Sequence, residues 1–147
     1  MPTGGSRRGS RGDALVDTSI AIALLVADHE HHPGTIAAVG RRRLGLSGHA
    51  AFEAYSVLTR LPAPVRRPPH VVTELLEANF PETRFLSSTR ASRLLSEVAE
   101  AGIAGGAAYD ALVGATAVEH GMVLVTRDHR AVETYRALGV TVEVLDP

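Results

Sequence analysis

The sequence predicts a three-layer α/β/α fold on a mainly parallel central sheet, and three observations carry that reading. Short apolar runs alternate with longer segments of helical spacing. Strands separated by helices pair in parallel through right-handed crossovers, which places helices on both faces of the sheet. The chain has 147 residues, enough for one hydrophobic core and too few for a second.

Residues 1–12 are rich in Gly, Ser and Arg and lack periodicity, so they are expected to form a disordered basic tail ahead of a single domain over 13–147. Ala14, Leu15 and Val16 make a short buried strand ending at Asp17-Thr18-Ser19, and a helix follows over 20–27. A second helix spans 31–40 with Pro33 near its start, and the second strand spans 44–47. The stretch 50–61 is helical, with Ala50, Ala54, Val57, Leu58 and Leu61 forming an apolar stripe. Pro62, Pro64, Pro68 and Pro69 exclude helix interior and central strand, so 62–69 is a connection. A helix over 71–79, a brief strand over 84–87 and a helix over 89–101 come next, before a glycine-rich break at 102–106. The last elements are a nearly all-apolar helix over 109–120, the clearest strand over 122–126, a helix over 129–138 stopped by Gly139, and a strand over 140–145.

Two missing residue types exclude whole classes of chemistry. There is no Cys, which removes disulfides, thiolate catalysis and Cys-ligated metal sites. All 15 basic residues are Arg, so a Walker-A loop, a Schiff base and a Ser-x-x-Lys acyl enzyme are all excluded. No apolar run approaches the ~20 residues of a membrane span; a soluble, cytoplasmic protein without membrane contact is expected. Residues 13–147 carry 12 basic against 16 acidic side chains, a formal charge of -4 that the tail masks.

Four carboxylates stand out. Asp17 follows the first strand, and Asp128 follows the strand ending at Thr126; either alone reads as a helix cap. Together they fall at the carboxyl ends of central strands, where an α/β sheet places its ligands. Glu53 lies three residues after Ala50 and four before Val57, on the apolar stripe of its helix, where a carboxylate is costly unless paired or bound to a cation. Asp110 opens a buried helix whose small residues Gly114 and Ala117 permit close approach to the sheet. Four acids with no Lys to neutralise them point to a hard divalent cation, Mg²⁺ or Mn²⁺, in oxygen coordination.

With these stretches in view, the sequence resembles a PIN-domain ribonuclease of the VapC toxin type. The resemblance runs through Leu15-Val16-Asp17-Thr18-Ser19, Phe52-Glu53-Ala54, the segment from Tyr109-Asp110 to Ala117, and Leu124-Val125-Thr126-Arg127-Asp128. It implies an acidic cluster of Asp17, Glu53, Asp110 and Asp128, with Thr18, Ser19 and Thr126 as hydroxyls orienting metal-held water. Many relatives carry a further acid or Asn near the last member, where this chain has Arg127 and His129. The implied activity is Mg²⁺-dependent endonucleolytic cleavage of RNA, with one or two ions, leaving a 5′-phosphate and a 3′-hydroxyl. The implied partners are an RNA substrate, a VapB-type antitoxin and a second copy of the chain in a homodimer. A basic antitoxin segment occupying the acidic cleft, with an apolar helix against 20–27 and 50–61, would supply the inhibition.

Other features carry less. His29, His31 and His32 flank Pro33 at a spacing that does not converge imidazoles on one helix face. Arg41, Arg42 and Arg43 fit either phosphate contact or a solvated helix end. A phosphoacceptor domain is disfavoured by the missing Lys. A PIN-like module that binds RNA or a partner without catalysis is the alternative to the nuclease.

Overall fold

The computed structural model describes residues 12–146, so the tail expected at 1–12 lies, Gly12 apart, outside the described residues. The first strand, β1 (Ala14–Val16), shows how the layers arise from alternation. Ala14 and Val16 point into one apolar cluster and Leu15 into another on the opposite face. After β1 come α1 (Thr18–Leu25), α2 (His32–Val39), β2 (Leu44–Leu46), α3 (Ala50–Thr59), α4 (Pro69–Asn79), α5 (Ser88–Glu100), α6 (Ala107–Glu119), β3 (Val123–Thr126), α7 (Val132–Ala137) and β4 (Val142–Val144). The four strands pair in the order β2-β1-β3-β4, every pair parallel. The expected three-layer α/β/α architecture with a parallel sheet is therefore the observed one.

Ile20 and Ala21 of α1, Val39 of α2, Ala54 and Leu58 of α3, and Val72 and Leu76 of α4 cover the face of Val16, Leu46 and Val125. Val113 and Ala117 of α6 and Tyr135 of α7 cover the face of Leu15 and Leu124, and α5 packs on the outside of α6. Both faces are thus sealed, as a parallel sheet requires. Pro33 and Pro69 sit in the first turns of α2 and α4, where a missing N–H costs nothing. Among the described residues, no helix is long and apolar enough to cross a membrane.

Two expectations about local structure need correction. The strand expected at 84–87 is reduced to a single parallel bridge between Arg84 and Ser47. The backbone at 82–84 does run along β2, with Glu82 N donating to Leu44 O at 3.0 Å and Arg84 N to Leu46 O at 3.2 Å. But Thr83 Oγ1 takes the Leu46 N–H at 2.9 Å, so a side chain replaces the carbonyl that would extend the ladder. This approach is possible because residue 45 is glycine: a Cβ there would lie 2.1 Å from the Glu82 carbonyl carbon. The second correction is to the helix expected at 129–138, which begins only at Val132 because the preceding turn is engaged elsewhere.

Candidate active site

The chain leaves β1 toward β2 at one edge of the sheet and leaves β3 toward β4 at the other. Between the carboxyl ends of β1 and β3 the connections diverge, opening the crevice in which open α/β sheets bind ligands. Asp17 stands at the end of β1, and Thr126 and Asp128 stand at the end of β3.

Asp17 is the N-cap of α1 and also the centre of a hydrogen-bonded node. Its Oδ1 accepts from Ser19 N at 3.1 Å, from Ile20 N at 3.4 Å and from the Ser19 hydroxyl. Its Oδ2 accepts from the Thr126 hydroxyl and from Tyr135 Oη at 2.8 Å. The two smaller hydroxyls also act as acceptors, Ser19 Oγ from Arg127 N and Thr126 Oγ1 from Asp128 N, both at 2.9 Å. One carboxylate thereby fixes the turns after both central strands. Asp17 is 4% exposed. Burial pushes its pKa up, while hydrogen bonds from Ser19, Thr126, Tyr135 and the Ile20 N–H pull it back.

A cavity of about 640 Å³ opens at this node, and Asp17, Glu53, Asp110 and Asp128 all line it. Glu53 reaches it from the first turn of α3, its side chain 41% exposed, so it sits at the margin of the apolar stripe rather than within it. Thr18 Oγ1 donates to its Oε1 at 2.9 Å, and His49 Nε2 lies 3.9 Å from its Oε2. Asp110 enters from the first turn of α6. Its pKa is raised to about 6, first by burial and then by the carboxylates of Asp128, Glu53 and Asp17, with Arg130 opposing. Asp128 does not cap α7; its Oδ1 accepts from Arg130 N at 3.0 Å in a local turn.

The pattern of the PIN domain matches residues 14–137. The chain belongs to the PIN-domain family. Among its relatives, Ribonuclease VapC27 of Mycobacterium tuberculosis (strain ATCC 25618 / H37Rv) is 46% identical over 129 residues, 88% of this chain and 94% of the relative. Ribonuclease VapC40 of Mycobacterium tuberculosis (strain CDC 1551 / Oshkosh) is 45% identical over 131 residues, 88% and 96% of the two chains. The fold matches DNA-bound VapBC from Salmonella typhimurium with a TM-score of 0.60 at 22% identity, covering 91% of this chain and 97% of that one. It matches VapBC2 from Rickettsia felis, bound to a promoter DNA fragment, with a TM-score of 0.66 at 14% identity, covering 91% and 99%.

Sequence reasoning missed several residues of this PIN domain's cavity. Tyr135, Ser56, Arg60 and Arg130 line it alongside the acids. Arg60 Nη1 bonds Ser56 Oγ at 3.0 Å, and Arg130 Nε lies 3.5 Å from Asp128 Oδ1 with its side chain 93% exposed. Ser56, three residues after Glu53, and Arg60, four after Ser56 at the C-cap of α3, give a usable signal by their helical spacing; Tyr135 gives none, because it reads as an ordinary core tyrosine. Thr18, Ser19 and Thr126 are directed at carboxylates of the PIN-domain cavity rather than at open solvent. Arg42, a candidate for phosphate contact, instead grips Glu143 at 2.8 Å with its side chain 5% exposed.

Among the described residues, no three acidic or imidazole side chains stand close enough together to grip one ion as placed. The donor set of the PIN-domain cavity nonetheless fits a hard cation that keeps part of its water shell. It is all oxygen, and Mg²⁺ takes only one or two direct carboxylates beside its waters. The mutual repulsion felt at Asp110 is the excess negative charge that such a cation relieves.

Proposed function

We propose that this chain is a Mg²⁺-dependent endoribonuclease of the VapC type and the toxin of a type II toxin–antitoxin pair. The observation that carries the reading is the meeting of Asp17, Glu53, Asp110 and Asp128, from four separate segments, on one cavity at the divergence of β1 and β3. The relatives named Ribonuclease VapC, at 45–46% identity over nearly their whole length, support the same assignment.

When bound, the Mg²⁺ ion would supply Lewis acidity, activating water and offsetting charge on the scissile phosphate and leaving oxygen. Asp17 and Asp110 would hold it, with Glu53 and Asp128 completing the anionic rim, and Mn²⁺ would substitute. The Asp17 node keeps its carboxylate in one orientation. Thr18 restrains Glu53, which has room to move. Asp110 is ionised above about pH 6, which adds its charge to the rim near neutrality. Arg60 and Arg130 are the cations at the cavity and would bind RNA phosphates on either side of the cleavage point.

The partners follow from the same reading: a VapB-type antitoxin whose basic segment fills the acidic cavity, and a second copy of the chain in a homodimer, acting in the cytoplasm. The test is growth on expression of the chain alone, with and without its antitoxin, together with cleavage of single-stranded RNA by purified, nuclease-free protein. Arrest relieved by the antitoxin, and cleavage lost on EDTA treatment and in Asp17→Asn, is the expected result. Equal toxicity of wild type and a folded Asp17→Asn would overturn catalysis in favour of RNA or partner binding.

A further inference from the structure

We propose that Tyr135 is a positioning residue for Asp17, fixing its carboxylate for cation binding from the far side of the node. The phenol oxygen lies 2.8 Å from Asp17 Oδ2, and Tyr135 lines the same cavity as the four acids while being 1% exposed. A tyrosine this deep in a core needs a partner for its hydroxyl, whereas phenylalanine would fill the space without one. Thr126 also donates to Oδ2, so the phenol is the second donor to that oxygen.

What the phenol adds is direction. Serine and threonine hydroxyls rotate, but a phenolic O–H lies near the plane of its ring. That ring is confined: a Cβ at Gly114 would meet Tyr135 Cδ1 at 3.2 Å, so α6 and α7 are in close contact there because residue 114 has no side chain. Hydrogen-bond partners of metal-ligating carboxylates set ligand orientation, and their loss costs roughly 10–100-fold in metal affinity or activity.

The inference rests on the divalent-cation reading of the cavity, so its test measures binding of Mn²⁺ itself, by calorimetry or by the free-ion EPR signal. Tyr135→Phe keeps the ring and removes one oxygen. It is expected to weaken Mn²⁺ binding about tenfold or more, and to lower kcat at saturating Mn²⁺ while KM for RNA stays put. Val132→Ala, in the same helix but not among the residues lining the cavity, is expected to leave Mn²⁺ affinity unchanged, which separates the hydroxyl from the packing of α7. In the unmutated chain, Mg²⁺ should shift the Tyr135 Cζ resonance more than those of Tyr55 and Tyr109. Equal Mn²⁺ affinity in wild type and Tyr135→Phe, equal weakening by Val132→Ala, or an unmoved Tyr135 resonance in a chain that binds the metal would each overturn the proposal alone. Failure of the wild type to bind Mn²⁺ would overturn the cavity reading and this proposal with it.

Discussion

Thr18 Oγ1 donates to Glu53 Oε1 across 2.9 Å, joining the first residue of α1 to the first turn of α3. The bond connects residues 35 apart in the chain, and it holds in place a carboxylate whose side chain is 41% exposed. An exposed Glu without that tether would spread over several rotamers, at a conformational cost of ~1 kcal/mol whenever it had to be recaptured.

Thr18→Val should therefore reduce RNA cleavage several-fold without abolishing it, and change stability by less than about 1 kcal/mol, the net worth of one part-exposed hydrogen bond. Single-turnover cleavage rates and a denaturant titration check the two halves. A loss as deep as that of Asp17→Asn would mean that Thr18 does more than restrain Glu53.

The raised pKa of Asp110 makes stability depend on pH in a defined direction. Its value in the fold is about 6 against 3.8 unfolded, so the folded chain holds the extra proton between those values. Its favourable contribution is complete below about pH 4 and is lost as pH rises through 6. Metal-free Asp110→Asn should then be more stable than wild type at pH 7.5, by on the order of 1 kcal/mol once its exposure to solvent is allowed for, and the two should converge near pH 4. Mg²⁺ at a hundred times its Kd should raise wild-type stability by about 2.7 kcal/mol at neutral pH. It should do little for the variant neutralised at all four acids. Thermal melts with and without EDTA measure both effects.

Arg42→Ala should destabilise the fold by about 2–3 kcal/mol, since it removes the partner that is only 5% exposed from this ion pair. Arg42 also donates to the carbonyls of Ala38 and Val39 at 3.1 Å, so the end of α2 loosens as well. RNA affinity at temperatures where the variant is folded should be unchanged, because the guanidinium is committed to Glu143. A filter-binding assay beside a melting curve distinguishes this from a phosphate contact.

The parts of the site that could be read from sequence are those with a local signature. Asp17 announces itself by a strand that stops at a polar residue and turns into a helix, and Asp110 by an acid at the head of a helix otherwise apolar. Spacing puts Glu53 on its helix but does not distinguish the middle of the stripe from its margin. The spacing predicts a helix from 129, but it starts later because the backbone N–H groups of Arg127, Asp128 and Arg130 bond to side chains of the node and its turn. Tyr135 is illegible for a different reason: its partner lies 118 residues away, and nothing in α7 marks which core tyrosine faces a carboxylate.

The node around Asp17 also binds two turns into one dynamic unit. The amide protons of Ser19 and Ile20 end on its carboxylate, and those of Arg127 and Asp128 end on hydroxyls that donate to it. None of these four can be released to solvent by local fraying of one turn alone without disturbing the shared anion. Their hydrogen–deuterium exchange should proceed as a cooperative group, with one opening free energy, although they come from turns more than 100 residues apart in the chain.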